Sequence, residues 1–117
     1  MLLLTLLIIK HYFADFMLQT DNMLKNKGNY GHVGGIDHAL THGLLTFLVV
    51  LSFLGFSLIP TFGVSVLDGV IHYHIDYIKA KFGEKDISKK KFWYHFGLDQ
   101  LAHYLTYILL CAFIGAI

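Results

Sequence analysis

The sequence predicts an all-α fold, a four-helix transmembrane bundle in up-down-up-down order. Hydrophobic residues make up 56% of the 117-residue chain and charged residues only 15%, whereas soluble domains carry roughly 25% charged residues. A soluble domain of this length cannot bury so much apolar surface in its own core. Two further observations favour the bundle. Lysine-containing loops follow the first and third of the long apolar segments, and each segment carries His or Asp residues four positions apart.

The composition excludes several classes of protein. All nine cations are Lys and the net charge is +1, so the chain lacks the Arg fork that recognises phosphate or guanine, and nucleic-acid binding is excluded. The single cysteine, Cys111, excludes an internal disulfide and a Cys-rich zinc site. The length predicts one integral membrane domain over residues 1–117.

The first helix is predicted over residues 2–24. Its apolar start, Met1–Ile9, has no preceding positive charge and no small-residue cleavage site after it, so it does not resemble a signal peptide. Residues 25–36 contain four glycines between polar residues, which predicts a loop. Asp37 is the expected N-cap of the next helix.

The middle of the chain is predicted to form two helices. No residue from 43 to 67 is charged, but Gly55, Ser57 and Pro60 interrupt this stretch. Proline favours the first turn of a helix, so helices are predicted over residues 38–56 and 60–79, each close to the ~20 residues needed to cross a bilayer. The fourth helix, residues 92–117, follows a charged loop.

The distribution of lysine predicts the orientation. The first and third loops contain lysines and lie on the same side of a four-helix bundle, whereas the turn at 56–60 and both termini have none. Because cytoplasmic loops collect Lys and Arg, we expect a multi-pass protein of the bacterial inner membrane with both termini outside. Membrane lipids are the expected partners, and a homo-oligomer is left open.

A polar stripe is predicted on every helix, because four residues advance about 400° and return to one face. With alternating helix directions, all four stripes reach the cytoplasmic half of the bilayer. A charged residue at this depth costs ~2.5–3.5 kcal/mol, which a divalent metal would offset. His and Asp suit zinc best, with Mn or Fe as alternatives. Eight ligands predict one or two ions. They are His11, Asp15, His38, His42, His72, Asp76, Asp99 and His103.

Four polar residues near the predicted ligands have other expected roles. Asp68 lies one turn before His72 and is either a hydrogen-bond partner or a proton relay. His74 lies about 200° from His72 and should face away. His95 lies near the membrane interface, beside the site, and His32 is expected to be solvated in its loop.

Four sequence blocks resemble a family, the small bacterial and phage membrane proteins described as domain of unknown function 3307. The blocks are His11–Lys25, His38–His42, His72–Lys79 and Asp99–His103. A fainter likeness links the chain to inner-membrane proteins labelled metal-dependent hydrolases. The resemblance implies the membrane topology and the same candidate site residues.

Three functions are compatible with this pattern. In a metal-dependent hydrolase for a lipid or amphipathic substrate at the cytoplasmic leaflet, the ion lowers the pKa of bound water to ~7. Asp15 or Asp99 would then be the general base, and Gln19 and Gln100 would donate hydrogen bonds to the oxyanion. The alternatives are a divalent-metal or proton transporter, and a small accessory membrane protein with a structural metal or polar cluster.

Overall fold

A computed structural model describes residues 1–55 and 57–116, and all regular structure within these residues is helical. The all-α fold class is confirmed. The predicted helix ends at Phe56 and Ile117 lie outside the described residues. The helices are α1 (Leu2–Phe16), α2 (Asp21–Asn26), α3 (Val33–Phe53), α4 (Leu58–Phe82) and α5 (Lys90–Phe113).

The first helix is shorter than predicted, since α1 ends at Phe16 and not at Leu24. Thr20 starts a new helix, because its hydroxyl accepts a hydrogen bond from the Met23 backbone N–H at 3.3 Å, and threonine is a favoured N-cap. With 15 residues, α1 is about 22 Å long at ~1.5 Å per residue. This is less than the ~30 Å thickness of a hydrocarbon core.

The helix α3 begins at Val33, five residues before the prediction, and the expectation that Asp37 caps it is wrong. The cap is His32, whose Nδ1 accepts the Gly34 backbone N–H at 3.0 Å. Two of the four glycines that suggested a loop, Gly34 and Gly35, lie in the first turn of the helix, where α2 packs closely. A Cβ on Gly34 would lie 2.6 Å from the Asn22 carbonyl oxygen.

The helices α4 and α5 are close to their predicted ranges. Pro60 lies in the first turn of α4, which continues three residues beyond the predicted end at Lys79. The helix α5 ends at Phe113 because Gly115 adopts a φ of 70°. The Ala116 N–H reaches the Cys111 carbonyl and the Gly115 N–H reaches the Ala112 carbonyl, which is a Schellman motif.

The four long helices pack with alternating directions. The helix α3 packs against α4, α5 packs against α4, and α1 contacts both α3 and α5. An apolar core fills one end of the bundle, with residues from the first halves of α1 and α4 and the second halves of α3 and α5. Its buried members are Leu3, Leu7, Val50, Val64, Tyr107, Leu110 and Cys111.

Among the helices of residues 1–55 and 57–116, α3 alone is long and apolar enough by length and composition to span a membrane. The helices α4 and α5 have 25 and 24 residues but carry the ionisable residues that lower their average hydropathy. The four-span arrangement, the multi-pass inner-membrane location and the external termini therefore remain predictions.

Candidate metal centre

The eight candidate ligand residues lie together in the half of the bundle opposite the apolar core. We call this group the His/Asp centre. Seven of the residues are buried, and the side chain of the eighth, Asp15, is 9% exposed. The helices α1, α3, α4 and α5 each supply two residues, at positions i and i+4. The members are His11, Asp15, His38, His42, His72, Asp76, Asp99 and His103.

The first part of the centre surrounds one oxygen of Asp15. The Nε2 atoms of His42 and His38 lie 3.0 Å and 3.2 Å from Asp15 Oδ1, and His72 Nε2 lies 3.9 Å from the same oxygen. These residues come from three helices, and one ligand atom of each lies within 4.8 Å of the others. They have the donor types and spacing of a metal site.

The second part is formed by Asp76, Asp99 and His103, whose ligand atoms also lie within 4.8 Å of one another. His103 Nε2 lies 3.2 Å from Asp76 Oδ1 and 3.7 Å from Asp99 Oδ1. The other oxygen of Asp76 lies 3.1 Å from His38 Nε2 and 3.5 Å from His72 Nε2. Asp76 therefore connects the two parts.

The imidazole rings are held by different contacts. His72 stacks between His42 and His103, with ring centroids 3.5 Å and 4.1 Å away. Within the described part of the chain, the Nδ1 atoms of His38 and His72 have no hydrogen-bond partner. His11 differs, because its Nδ1 lies 2.8 Å from the buried Tyr107 hydroxyl while its Nε2 lies 3.1 Å from Asp15 Oδ2. Stacking thus fixes the central ring, and Tyr107 orients the ring of His11.

The convergence of atoms fits a metal better than hydrogen bonds alone. His38 Nε2 lies 3.3 Å from His72 Nε2 and also faces one carboxylate oxygen each of Asp15 and Asp76. A single ring proton cannot be directed at all three atoms. Nitrogen and oxygen ligands at about 2.0–2.1 Å from a tetrahedral ion lie roughly 3.4 Å from one another, which is close to the observed separations.

Asp99 supplies a second test of the fit. Its Oδ1 atom is buried and has no hydrogen-bond partner among residues 1–55 and 57–116. A buried polar atom left without a partner costs about 1–3 kcal/mol, and more when it is charged. A cation beside Asp76, Asp99 and His103 would remove this cost, so the donor set fits a divalent ion.

Two buried lysines were absent from the predicted site. Lys10 Nζ lies 2.8 Å from Asp68 Oδ2 and 3.3 Å from His42 Nδ1. Asp68 is therefore the ion-pair partner of Lys10, and it also accepts a hydrogen bond from Thr46. The sequence did signal that Asp68 faces the interior, because it lies four residues before His72 and therefore on the same stripe.

Lys27, at the C-cap of α2, is the second of these lysines. Its Nζ lies 3.1 Å from Asp76 Oδ2 and donates to Gln19 Oε1 at 2.8 Å. The Gln19 amide nitrogen donates to the Asp15 carbonyl at 3.0 Å. Both the oxygen and the nitrogen of the Gln19 amide are thus hydrogen-bonded. The predicted role as a donor to an oxyanion would require the other N–H of the amide nitrogen.

Gln100 and the remaining histidines have distinct positions. Gln100 donates to Asp99 Oδ2 at 3.2 Å, and its Oε1 lies 3.3 Å from His11 Nε2. It therefore lies beside the centre, and its role as an oxyanion donor stays a prediction. His95 Nδ1 accepts the Glu84 backbone N–H at 2.8 Å in the α4–α5 connection. His74 is exposed and contacts the Tyr30 hydroxyl at 3.2 Å, so it faces away from the centre.

Comparison with known proteins identifies the family. The model of the family described as "Protein of unknown function (DUF3307)" matches residues 3–116. The chain belongs to this family. No curated protein and no solved structure matches the chain. The likeness to metal-dependent hydrolases receives no support from these comparisons.

Proposed function

We propose that this chain is a membrane-embedded metal-binding protein that hydrolyses a lipid or amphipathic substrate at the cytoplasmic leaflet. The observation that carries the proposal is the convergence of five imidazole Nε2 atoms and three carboxylates in one buried centre. Lys27 pairs with Asp76, but Asp15 and Asp99 have no lysine at salt-bridge distance among the described residues. Such a group is costly in the interior of a bundle unless a further cation compensates it.

The distribution of polarity supports a membrane environment. Among the described residues, fourteen polar or charged residues are buried against nine hydrophobic ones, whereas large apolar side chains such as Leu40, Leu109 and Phe62 are 64%, 69% and 65% exposed. Soluble proteins bury mainly apolar residues. In a bilayer the exposed apolar side chains would contact lipid, and the polar side chains would lie between the helices. The lysines at one end of the bundle favour a cytoplasmic position for that end.

The chemistry follows from the ligand types. A divalent ion, zinc in the first place and Mn or Fe as alternatives, would supply Lewis acidity and would lower the pKa of a bound water to ~7. Asp15 would hold the ion together with His38, His42 and His72, whose Nε2 atoms surround Asp15 Oδ1. Asp76 would balance its charge and connect the ligands of both parts. With one ion held by the first part of the centre, Asp99 would be left off the metal and would act as general base, because its Oδ1 has no hydrogen-bond partner among the described residues.

The closed end of the bundle favours hydrolysis over transport. A conducting path requires polar steps across the ~30 Å of hydrocarbon. Beyond the Lys10–Asp68 ion pair lies the apolar core, and the buried hydroxyls of Thr61 and Ser65 there donate to backbone carbonyls of their own helix. Such a polar pocket with one blind end suits a substrate that enters from the headgroup layer.

The test combines metal analysis with turnover. Protein purified in a neutral detergent should retain about one or two equivalents of metal per chain, as should the control Asp21→Ala on the exposed surface of α2. Asp15→Ala should lose most of the metal. Turnover of a lipid ester or phosphoester should stop after chelation and return with added metal. Wild-type protein with a small fraction of an equivalent would overturn the proposal, and metal without turnover would favour a structural role.

A further inference from the structure

A basic cavity lies at the polar end of the bundle, beside the His/Asp centre. It has a volume of about 890 Å³, and residues from α2, the α2–α3 connection, the end of α4 and the α4–α5 connection line it. Five lysines contribute to its wall. They are Lys25, Lys27, Lys79, Lys81 and Lys85.

Most of this positive charge is uncompensated. Lys27 pairs with Asp76, but the other four lysines have no carboxylate at salt-bridge distance among residues 1–55 and 57–116. Glu84 also lines the cavity, but it accepts the backbone N–H groups of Asp86 and Lys85 and pairs with Lys89 at 3.2 Å. The pKa of Glu84 lies below its ordinary value, first because its carboxylate accepts the Asp86 backbone N–H and second because it pairs with Lys89. The cavity therefore attracts anions.

An apolar groove adjoins the basic cavity. It lies between α4 and α5, has a volume of about 320 Å³, and is lined by residues that include Ile78, Leu98 and Ala102. Lys79 lines both the groove and the basic cavity. Asp99 forms another part of the groove wall, and its buried, unpartnered Oδ1 lies 3.7 Å from His103 Nε2. The groove thus extends from Lys79 at the polar end to Asp99 of the His/Asp centre.

We propose that the basic cavity and the apolar groove together bind an amphiphile that carries a phosphate headgroup. The phosphate would lie among the lysines, which are common phosphate ligands, and the chain would occupy the groove between α4 and α5. The inference rests on the proposed function, because it assigns the substrate class of that hydrolase. The lipid source follows from the apolar groove, since free phosphate would use the lysines alone.

Binding of dodecyl phosphate to the full chain tests this inference. The dissociation constant is measured in a neutral sugar-headgroup detergent, for protein stripped of metal and for protein loaded with zinc. Lys79→Gln should weaken binding about fivefold, the amount expected for one lysine near an anionic lipid surface. Lys79→Arg should bind like the wild type. Lys90→Gln, whose lysine lies over Tyr94 at 5.4 Å and outside the cavity, should change binding by less than about twofold.

A second variant separates the chain from the headgroup. Ala102→Leu fills the groove, so it should weaken dodecyl phosphate binding while leaving competition by inorganic phosphate unchanged. Inorganic phosphate that binds as tightly as dodecyl phosphate would overturn the lipid assignment. Equal losses in Lys79→Gln and Lys90→Gln would overturn the cavity as the headgroup site.

The two proposals fail separately in this design. Binding by metal-stripped protein with the expected loss in Lys79→Gln supports the inference even if no turnover is ever observed. Metal-dependent turnover of a neutral ester by protein that does not bind dodecyl phosphate would overturn the inference and leave the proposed function standing.

Discussion

The buried ion pair between Lys10 and Asp68 makes a quantitative prediction about stability. The two charges lie 2.8 Å apart, with side chains 4% and 1% exposed, and Asp68 also accepts the Thr46 hydroxyl. Removal of one partner of a buried pair leaves an uncompensated charge and costs about 3–5 kcal/mol. Lys10→Met and Asp68→Asn should each lower the free energy of unfolding by about this amount.

The double variant is the decisive member of this set, because it removes both charges together. The loss of unfolding free energy in Lys10→Met/Asp68→Asn should be smaller than the sum of the two single losses by at least about 3 kcal/mol. Equilibrium unfolding in mixed micelles provides the measurement, with the exposed Lys90→Met as a control that changes stability by less than about 0.5 kcal/mol. Additive losses in the double variant would refute the buried pair.

Three further predictions address the centre, the helix packing and the topology. Asp76→Asn should lower metal content at least as much as any other single ligand change, because Asp76 contacts both parts of the centre. Elemental analysis checks this, and content equal to that of Asp21→Asn would contradict it. Gly34→Ala should lower the melting temperature, since its Cβ would lie 2.6 Å from a carbonyl oxygen of α2, whereas Gly63→Ala meets nothing within 4 Å and should be neutral or stabilising. An unchanged melting temperature for the first variant would refute the close packing of α2. After replacement of the native cysteine by alanine, a cysteine at Lys85 should resist an impermeant reagent in intact cells, and ready labelling there would reverse the orientation.

Helical periodicity was enough to predict most of the residues that form the His/Asp centre. The i, i+4 spacing placed His11 with Asp15 and Asp99 with His103, and these side chains do face one interior because their helices bury the same face. The break after Phe16 was not predictable in this way. The segment that follows continues the helical pattern, and only the cap made by Thr20 with Met23 reveals that a new helix begins.

The positions of the cations required the tertiary structure. From the sequence, the lysines served only to orient the loops, because cytoplasmic loops collect Lys and Arg. Lys10 instead points toward Asp68, 58 residues away in the chain, and Lys27 reaches Asp76 from a short helix that the sequence did not separate from α1. Such pairs depend on which helices become neighbours, which spacing along one helix does not specify.

The most direct measurement is X-ray absorption at the edge of the metal that copurifies with the protein. A metal held by the His/Asp centre should show only nitrogen and oxygen ligands, at about 2.0–2.1 Å for zinc, together with scattering from imidazole rings. Cys111 is buried in the apolar core at the other end of the bundle, so no sulfur ligand is expected. Purified wild-type protein without an absorption edge, or a spectrum dominated by sulfur at about 2.3 Å, would contradict a metal held by the His/Asp centre.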